Sequence, residues 1–338
     1  MRYFLLPISW IYRSVVYFRN QLFDRNFIAA QGYKNSIGVG NLSMGGTGKS
    51  PLTIYIAEII LKNKGEPALL SRGYGRKTKG FIEVTEQSTS NEVGDEPLMF
   101  KQRFSSNAGV YVCEDRNIGS NSIRDKRPES TLIYDDVFQH RKTKPSFTIV
   151  TTPFSDPFFE DKILPVGRLR EPINNIKRAD CILVTKCPEH ASKERKVQFS
   201  KKLERFGKPV FYSEIRYGSM VPLGRAVKEV KKILLVTGIA DPSPLINNLQ
   251  ASYEIESISF PDHHTFTHGN LNKIHEKFGT FDPKESIILT TEKDKARLSN
   301  FKDVVSNEDS PWYYQPMSIH IHDEVKFQSL IEEHVRKI

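Results

Sequence analysis

Six consecutive residues, Gly45-Gly46-Thr47-Gly48-Lys49-Ser50, constrain this chain more than any other feature. A short apolar run, Ser36–Gly40, precedes them, and Leu52, Ile56, Ile59 and Ile60 follow at helical spacing. In a strand–glycine loop–helix unit of this kind, backbone N–H groups cradle phosphate oxygens. The lysine reaches the β- and γ-phosphates and the hydroxyl binds Mg²⁺. The usual first glycine of G-x-x-x-x-G-K-[ST] is here Ser43, which leaves Gly45 and Gly46 to supply the backbone freedom. Gly45, Gly46, Thr47, Gly48, Lys49 and Ser50 therefore read as a nucleotide phosphate site. A plain strand–turn–helix is the competing interpretation, and the flanking pattern argues against it.

Beyond this loop the chain alternates. Apolar runs bounded by turn residues recur at Pro67–Leu70, Val110–Cys113, Leu132–Tyr134, Phe147–Val150 and Cys181–Val184, with helical stretches between. A second set runs through Ile233–Val236, Ser257–Phe260, Ser286–Leu289 and Ser318–His322, and closes on a helix from about Glu324 to Ile338. The predicted class is α/β: a P-loop NTPase-like parallel sheet wrapped by helices, a second smaller α/β domain and an N-terminal amphipathic helix. Expected limits are 1–28 for the helix, 29–210 for the P-loop domain and 211–338 for the smaller domain, whose last helix is free to return to the first. Phe211–Pro222 reads as an extended connector able to pair with Tyr314–His322.

The first 25 residues put Phe4, Ile8, Ile11, Val15, Phe18 and Leu22 on one helical face, with Arg2, Ser9, Arg13, Asn20 and Asp24 opposite. Trp10, Tyr3, Tyr12 and Tyr17 lie between, as amphipathic rings do at a headgroup boundary. Charges interrupt the run and no small-residue cleavage site ends it, which argues against a signal peptide. The choice is between a helix packed on the domain's own core and one lying in a membrane interface, and the aromatic load favours the interface. No apolar run of 18 residues exists, so a spanning helix is not expected.

A net charge of +9 points to an anionic partner: nucleic acid, a phosphorylated substrate or an acidic membrane surface. Cys113, Cys181 and Cys187 make neither a disulfide framework nor a CxxC zinc site, and a reducing, cytoplasmic compartment is the simpler reading.

The run Leu132–Tyr134 ends in Asp135-Asp136, carboxylates placed to hold Mg²⁺ at a strand end, and Gln139-His140-Arg141 follow on the same loop. Gly94-Asp95-Glu96-Pro97 precedes an apolar helix, where Asp95 by itself reads as a cap. Adjacent His263 and His264 after Asp262 point different ways on any regular element, which argues against joint metal ligation. Two arginine loops, Ser71–Arg76 and Pro165–Pro172, suit phosphate recognition.

Taken in order, these segments resemble the tetraacyldisaccharide 4'-kinases of lipid A biosynthesis. The shared stretches are GNLSMGGTGKSP (Gly40–Pro51), SRGYGR (Ser71–Arg76), VGDEP (Val93–Pro97), DDVFQHR (Asp135–Arg141), LPVGRLREP (Leu164–Pro172), TGIADP (Thr237–Pro242), FPDHH (Phe260–His264) and TTEKD (Thr290–Asp294). The resemblance implies transfer of the γ-phosphate of ATP, with Mg²⁺, to the 4'-hydroxyl of a tetraacyldisaccharide 1-phosphate, giving lipid IVA. It implies a peripheral, monotopic protein at the cytoplasmic face of the inner membrane, acting on a membrane-embedded glycolipid. Neither nucleic acid nor an obligate protein partner is inferred.

By the same resemblance Lys49 is the phosphate-binding lysine and Asp95 the general base, with His263 its partner across a cleft that closes before chemistry. Ser50, Asp135, Asp136 and Glu171 surround Mg²⁺, and Gln139 and Arg170 lie near the phosphates. The family usually has glycine after the paired acids, where this chain has Val137; strain at Val137 is the expectation if that backbone needs positive φ. A P-loop GTPase would want D-x-x-G after the acids and N-K-x-D. This chain has Phe138-Gln139 and Thr185-Lys186-Cys187-Pro188 instead. A nucleic-acid-binding ATPase is also disfavoured, since no recognised RNA or DNA module is present.

Overall fold

The computed structural model describes residues 3–188 and 191–336. Its strands are β1 (Gln31–Asn41), β2 (Pro67–Ser71), β3 (Ile82–Glu83), β4 (Gly109–Val112), β5 (Thr131–Tyr134), β6 (Thr143–Pro153), β7 (Cys181–Thr185), β8 (Val210–Tyr217), β9 (Val221–Pro222), β10 (Lys232–Thr237), β11 (Glu254–Ser259), β12 (Ser286–Thr291), β13 (Trp312–Gln315) and β14 (Met317–Ile321). A nine-stranded sheet runs β14-β8-β7-β6-β1-β5-β2-β4-β3, and a five-stranded sheet runs β11-β10-β12-β13-β9. From β8 to β4 the large sheet is parallel, with β14 and β3 antiparallel at its edges.

Strands β5 and β7 are buried along their whole length, as parallel strands covered by helices on both faces must be. One face carries the helices Lys49–Lys62, Asp95–Phe104 and Glu324–Arg336, and the other carries Lys193–Glu204 with Phe154, Phe158 and Ile176. Central β1 has neighbours on both sides whose connections run in opposite directions. A crevice opens beyond the carboxyl ends of strands at such a point.

Glycines in β1 let that crevice form. A Cβ on Gly40 would lie 2.5 Å from Phe138 Cβ, and one on Gly38 would lie 2.8 Å from Val137. The loop after β5 thus folds down onto β1, where Val137 N–H donates to Val39 O at 3.0 Å and both Val137 and Phe138 are buried. The expected strain at Val137 is not found there. Asp136 is the residue with positive φ, at 50°. An aspartate tolerates that region far better than a β-branched residue.

Phe211–Pro222 lies in a ribbon that bears on the domain limits. β8 pairs antiparallel with β14, and Val221 and Pro222 pair with Tyr314 and Tyr313. The expected division after residue 210 falls inside this ribbon: β8 and β14 join the large sheet, and the final helix packs into its core. The five-stranded sheet between them has its own two cores, around Trp312 and Leu271 on one face and Leu245 and Leu249 on the other.

The first helix, Leu6–Asp24, follows a 3₁₀ turn at Tyr3–Leu5 and sits with its faces inverted relative to a core helix. Ser9, Val16 and Asn20 are buried, whereas Phe4, Ile8, Ile11, Val15, Phe18 and Leu22 are 44–77% exposed. Arg2 and the last two residues of the expected final helix lie outside the described residues.

Phe327 anchors the returning helix, fully buried between Tyr55 and Phe211. Phe327→Ala is expected to cost about 3–5 kcal/mol in denaturant unfolding. A loss below about 1 kcal/mol would mean that this helix is not part of the large unit's core.

Candidate active site

The phosphate loop leaves β1 and enters the helix Lys49–Lys62 through two glycines at positive φ, Gly45 at 105° and Gly48 at 82°. Ser43, in the place of the usual first glycine, has no positive φ, so the substitution carries no strain. Neighbouring strands brace the loop. Asn41 Nδ2 donates to Ser43 O at 2.5 Å and Thr47 Oγ1 at 2.9 Å. The Thr47 and Thr151 hydroxyls lie 2.8 Å apart, and Thr185 Oγ1 donates to Thr47 O at 2.9 Å. A Cβ on Gly48 would meet Thr185 at 3.1 Å. The loop amides are thereby held at a helix N-terminus, where they favour an anion.

Lys49 Nζ lies 3.8 Å from Asp136 Oδ1, and Arg170 grips both oxygens of Asp136 at 2.8 and 3.1 Å. Lys49 and then Arg170 hold the Asp136 carboxyl below its ordinary range against the desolvation of the crevice. Asp135 is buried beside it, accepting from Thr53 Oγ1 at 3.4 Å. Burial, reinforced by the charges of Glu96 and Asp136, pushes the Asp135 carboxyl up.

This negative excess near Ser50 suits a divalent cation carried in with a nucleotide. Mg²⁺ takes one or two carboxylates plus phosphate oxygens and water. Among the described residues no group of three or more His, Cys, Asp or Glu side chains is placed to hold a metal ion. The Ser50 hydroxyl itself donates to Glu96 Oε1 at 2.9 Å, a residue passed over in the sequence although it adjoins Asp95.

Asp95 opens the helix Asp95–Phe104 as its first residue. Gly94, at φ 92° and ψ 157°, occupies the cap position, so the capping role read for Asp95 alone is not the one it adopts. Its Oδ1 accepts from Glu96 N–H at 3.0 Å and its Oδ2 lies 3.1 Å from His263 Nδ1. His263 comes from the second unit and stands at φ 58°, a conformation the surroundings must impose. The two units already meet at this pair. His264 turns elsewhere, to Asn270 Oδ1 at 3.1 Å. Lys293 Nζ and Arg297 complete the surroundings of Asp95, at 4.0 Å and 2.5 Å from Oδ2. Lys293 lay within a recognised segment, but only its fold neighbours give it a role. Arg297 lay beyond any motif.

Gln139 and Glu171 stand one layer back. Gln139 Nε2 donates to Asn41 O at 2.9 Å and Glu171 Oε1 at 2.8 Å. Glu171, expected beside the metal, is fully enclosed and also accepts from Asn175, Arg178 and Asn20. Of these donors Asn20 lies on the first helix, at 3.5 Å. Tyr12 adds a hydrogen bond from its hydroxyl to Arg170 O at 2.8 Å. On the far side of the paired acids, Arg116 is almost wholly buried and Arg72 exposed. Burial, with Arg116 and Arg72 nearby, pushes the His140 imidazole down to about 4.

A braced phosphate loop, a lysine and arginine over an acid pair, and a carboxylate–imidazole pair facing them define a P-loop phosphotransferase. A family model described as tetraacyldisaccharide-1-P 4'-kinase, LpxK, matches residues 1–336. The tetraacyldisaccharide 4'-kinase of Bacteroides thetaiotaomicron is 38% identical, the match covering 98% of this chain and 93% of that one. The protein of the same name from Flavobacterium psychrophilum is also 38% identical, over 99% and 97%. A crystal structure of an "apo" form of LpxK from Aquifex aeolicus, in complex with ATP, superposes with a TM-score of 0.75 at 28% identity, covering 99% of each chain. The chain belongs to the tetraacyldisaccharide 4'-kinase family.

The state of His140 predicts a pH dependence. An unfolded histidine titrates near 6.5, whereas the folded one stays neutral down to about 4. Between those values the unfolded chain binds the extra proton, so stability falls as pH is lowered through this window. The contribution is about 3 kcal/mol at most. Denaturant midpoints at pH 7 and pH 5 should differ less for His140→Gln than for the wild type, and an equal difference would refute the assignment.

Proposed function

We propose that this protein transfers the γ-phosphate of ATP to the 4'-hydroxyl of a tetraacyldisaccharide 1-phosphate, giving lipid IVA in lipid A biosynthesis. The observation that carries this reading is Asp95. It is joined to His263 on one side, and through its neighbour Glu96 it adjoins the Ser50 hydroxyl of the phosphate loop. A base and a phosphate cradle are thus within one residue of each other.

In the reaction the sugar O–H bond breaks as the new O–P bond forms, ADP departs, and the hydroxyl proton passes to Asp95. Lys49 and the loop amides stabilise the charge that spreads over the transferring group. Arg170 supplies a second cation near those phosphates, and Gln139 fixes the Asn41 backbone beneath the loop. His263 orients the Asp95 carboxylate and steadies its charge. Mg²⁺, held by Ser50 and the paired acids Asp135 and Asp136, would neutralise phosphate charge. Glu171 supports that arrangement from behind through Gln139.

The membrane-embedded substrate accounts for the first helix. Its polar face is spent on the protein, through Ser9, Tyr12, Asn20 and Asp24, and its apolar face is turned outward. No helix among the described residues is long and apolar enough to cross a membrane. We read it as lying in the interface of the inner membrane's cytoplasmic leaflet, with the positive charge of the chain favouring anionic lipid.

Mass spectrometry of a reaction containing ATP, Mg²⁺ and the disaccharide 1-phosphate lipid should show a product heavier by one phosphate. Lys49→Ala is expected to lower turnover about 10²–10³-fold and Asp95→Asn about 10²–10⁴-fold. ATP binding without lipid phosphorylation by the wild type would assign another acceptor. Co-sedimentation with anionic vesicles tests the helix. Replacing Ile11 and Phe18 by Asp removes two side chains each worth about 1.5–3 kcal/mol when buried and should weaken binding at least about tenfold. Unchanged binding would place the membrane contact elsewhere.

A further inference from the structure

The segments Thr237–Pro242 and Thr290–Asp294 have no part in the scheme above, yet they converge on one buried side chain. Arg297 is 5% exposed. Its Nε and Nη2 both donate to Asp95 Oδ2, at 2.9 and 2.5 Å. Its Nη1 donates to Gly238 O and Asp294 Oδ1, each at 2.6 Å. Asp294 is wholly buried and accepts from Gly238 N–H at 2.9 Å and Thr291 Oγ1 at 2.8 Å. The guanidinium is therefore itself clamped before it clamps Asp95.

We propose that Arg297 is a positioning residue for the phosphotransfer: it reaches from the second unit to hold the Asp95 carboxylate aimed, the second arm of the grip begun by His263. The proposal rests on reading Asp95 as the base. Both arms take the same oxygen, Oδ2, from different directions. Oδ1, which among the described residues accepts only the Glu96 N–H, is left to receive the hydroxyl proton. A carboxylate on a single rotatable bond is easily misaimed, and a misplacement of about 1 Å can cost about 100-fold in rate.

Joining the two units is not reason enough for this geometry. Arg103, on the Asp95 helix, already ties them through Glu58 and Glu292 at 3.0 and 3.1 Å. A planar fork suits Arg297 to holding one oxygen with two donors and a second acid with a third, which lysine cannot copy. The charged groups facing Asp95 are His263 and Asp262 from the loop after β11, Lys293, Asp294 and Arg297 from the helix after β12, and Glu96 from its own helix. Burial works to raise the Asp95 carboxyl. His263, Lys293 and Arg297 outweigh it and hold the group below its ordinary range. Without Arg297 burial regains ground, so the base is lost at a higher pH.

The test measures kcat, the KM for ATP and the melting temperature of the full chain. Arg297→Met is expected to lower kcat about 100-fold and leave the KM for ATP within about twofold. Arg297→Lys should recover part of kcat. Arg103→Met, which also cuts a link between the units, should lower the melting temperature and leave kcat within about threefold. Should Arg297→Met fail to fold, Arg297→Gln carries the same expectation. A folded Arg297 variant whose kcat stays within about threefold of the wild type, or whose KM for ATP rises in step with the loss, overturns the proposal. Asp95→Asn separates the two ideas. Full turnover by that variant sinks the reading of Asp95 as base, whereas an inactive Asp95→Asn beside a fully active Arg297→Met sinks only the role of Arg297.

Discussion

The contact of Phe138 with Gly40 is the one on which the nucleotide side of the site depends. A parallel sheet covered on both faces has only its strand ends free for chemistry, and the groups at those ends must be brought together by loops. Here the loop after β5 lies directly on β1 because two β1 residues have no side chain to hold it off. That approach sets Asp135 and Asp136 beside Lys49, and the turn it requires is taken at Asp136 with positive φ. A side chain at Gly40 would lift the acids away from the lysine before it affected anything else.

Two polar networks extend this centre outward. One runs from Asn41 through Gln139 to Glu171 and on to Asn20, so the helix with the outward apolar face is fastened to the same backbone that bears the phosphate loop. The other runs from Ser50 to Glu96, then from Asp95 to His263 and Arg297, and so into the second sheet. A buried carboxylate must be fully satisfied or it becomes costly, which is why each network closes on several donors. The phosphate loop thus sits between the helix with the outward apolar face and the second sheet that reaches Asp95.

Much of this was legible in the residues. Most strand positions, the phosphate loop and the paired acids all follow from patterns within a few residues of one another. Asp95 was legible as chemistry only by resemblance, since a carboxylate at a helix start is more often a cap. Glu171 shows the converse. Its place beside Mg²⁺ came only by resemblance, whereas the structure shows it enclosed with four donors, one of them Asn20 of the first helix. Glu96, Lys293 and Arg297 carried no signal of their own, because ordinary spacing on a helix hides which face will meet a distant loop.

By itself, the sequence determined the class of fold, the phosphate loop and the amphipathic character of the first helix. These depend on local periodicity and on backbone conformations that few residues permit. Tertiary structure alone decided that the apolar face of that helix points outward, that β8 and β14 complete the large sheet with the last helix packed into its core, and that Arg297 and His263 share one oxygen of Asp95. Each of those outcomes is set by contacts between residues far apart in the chain, where packing and charge satisfaction, rather than spacing, select the partner.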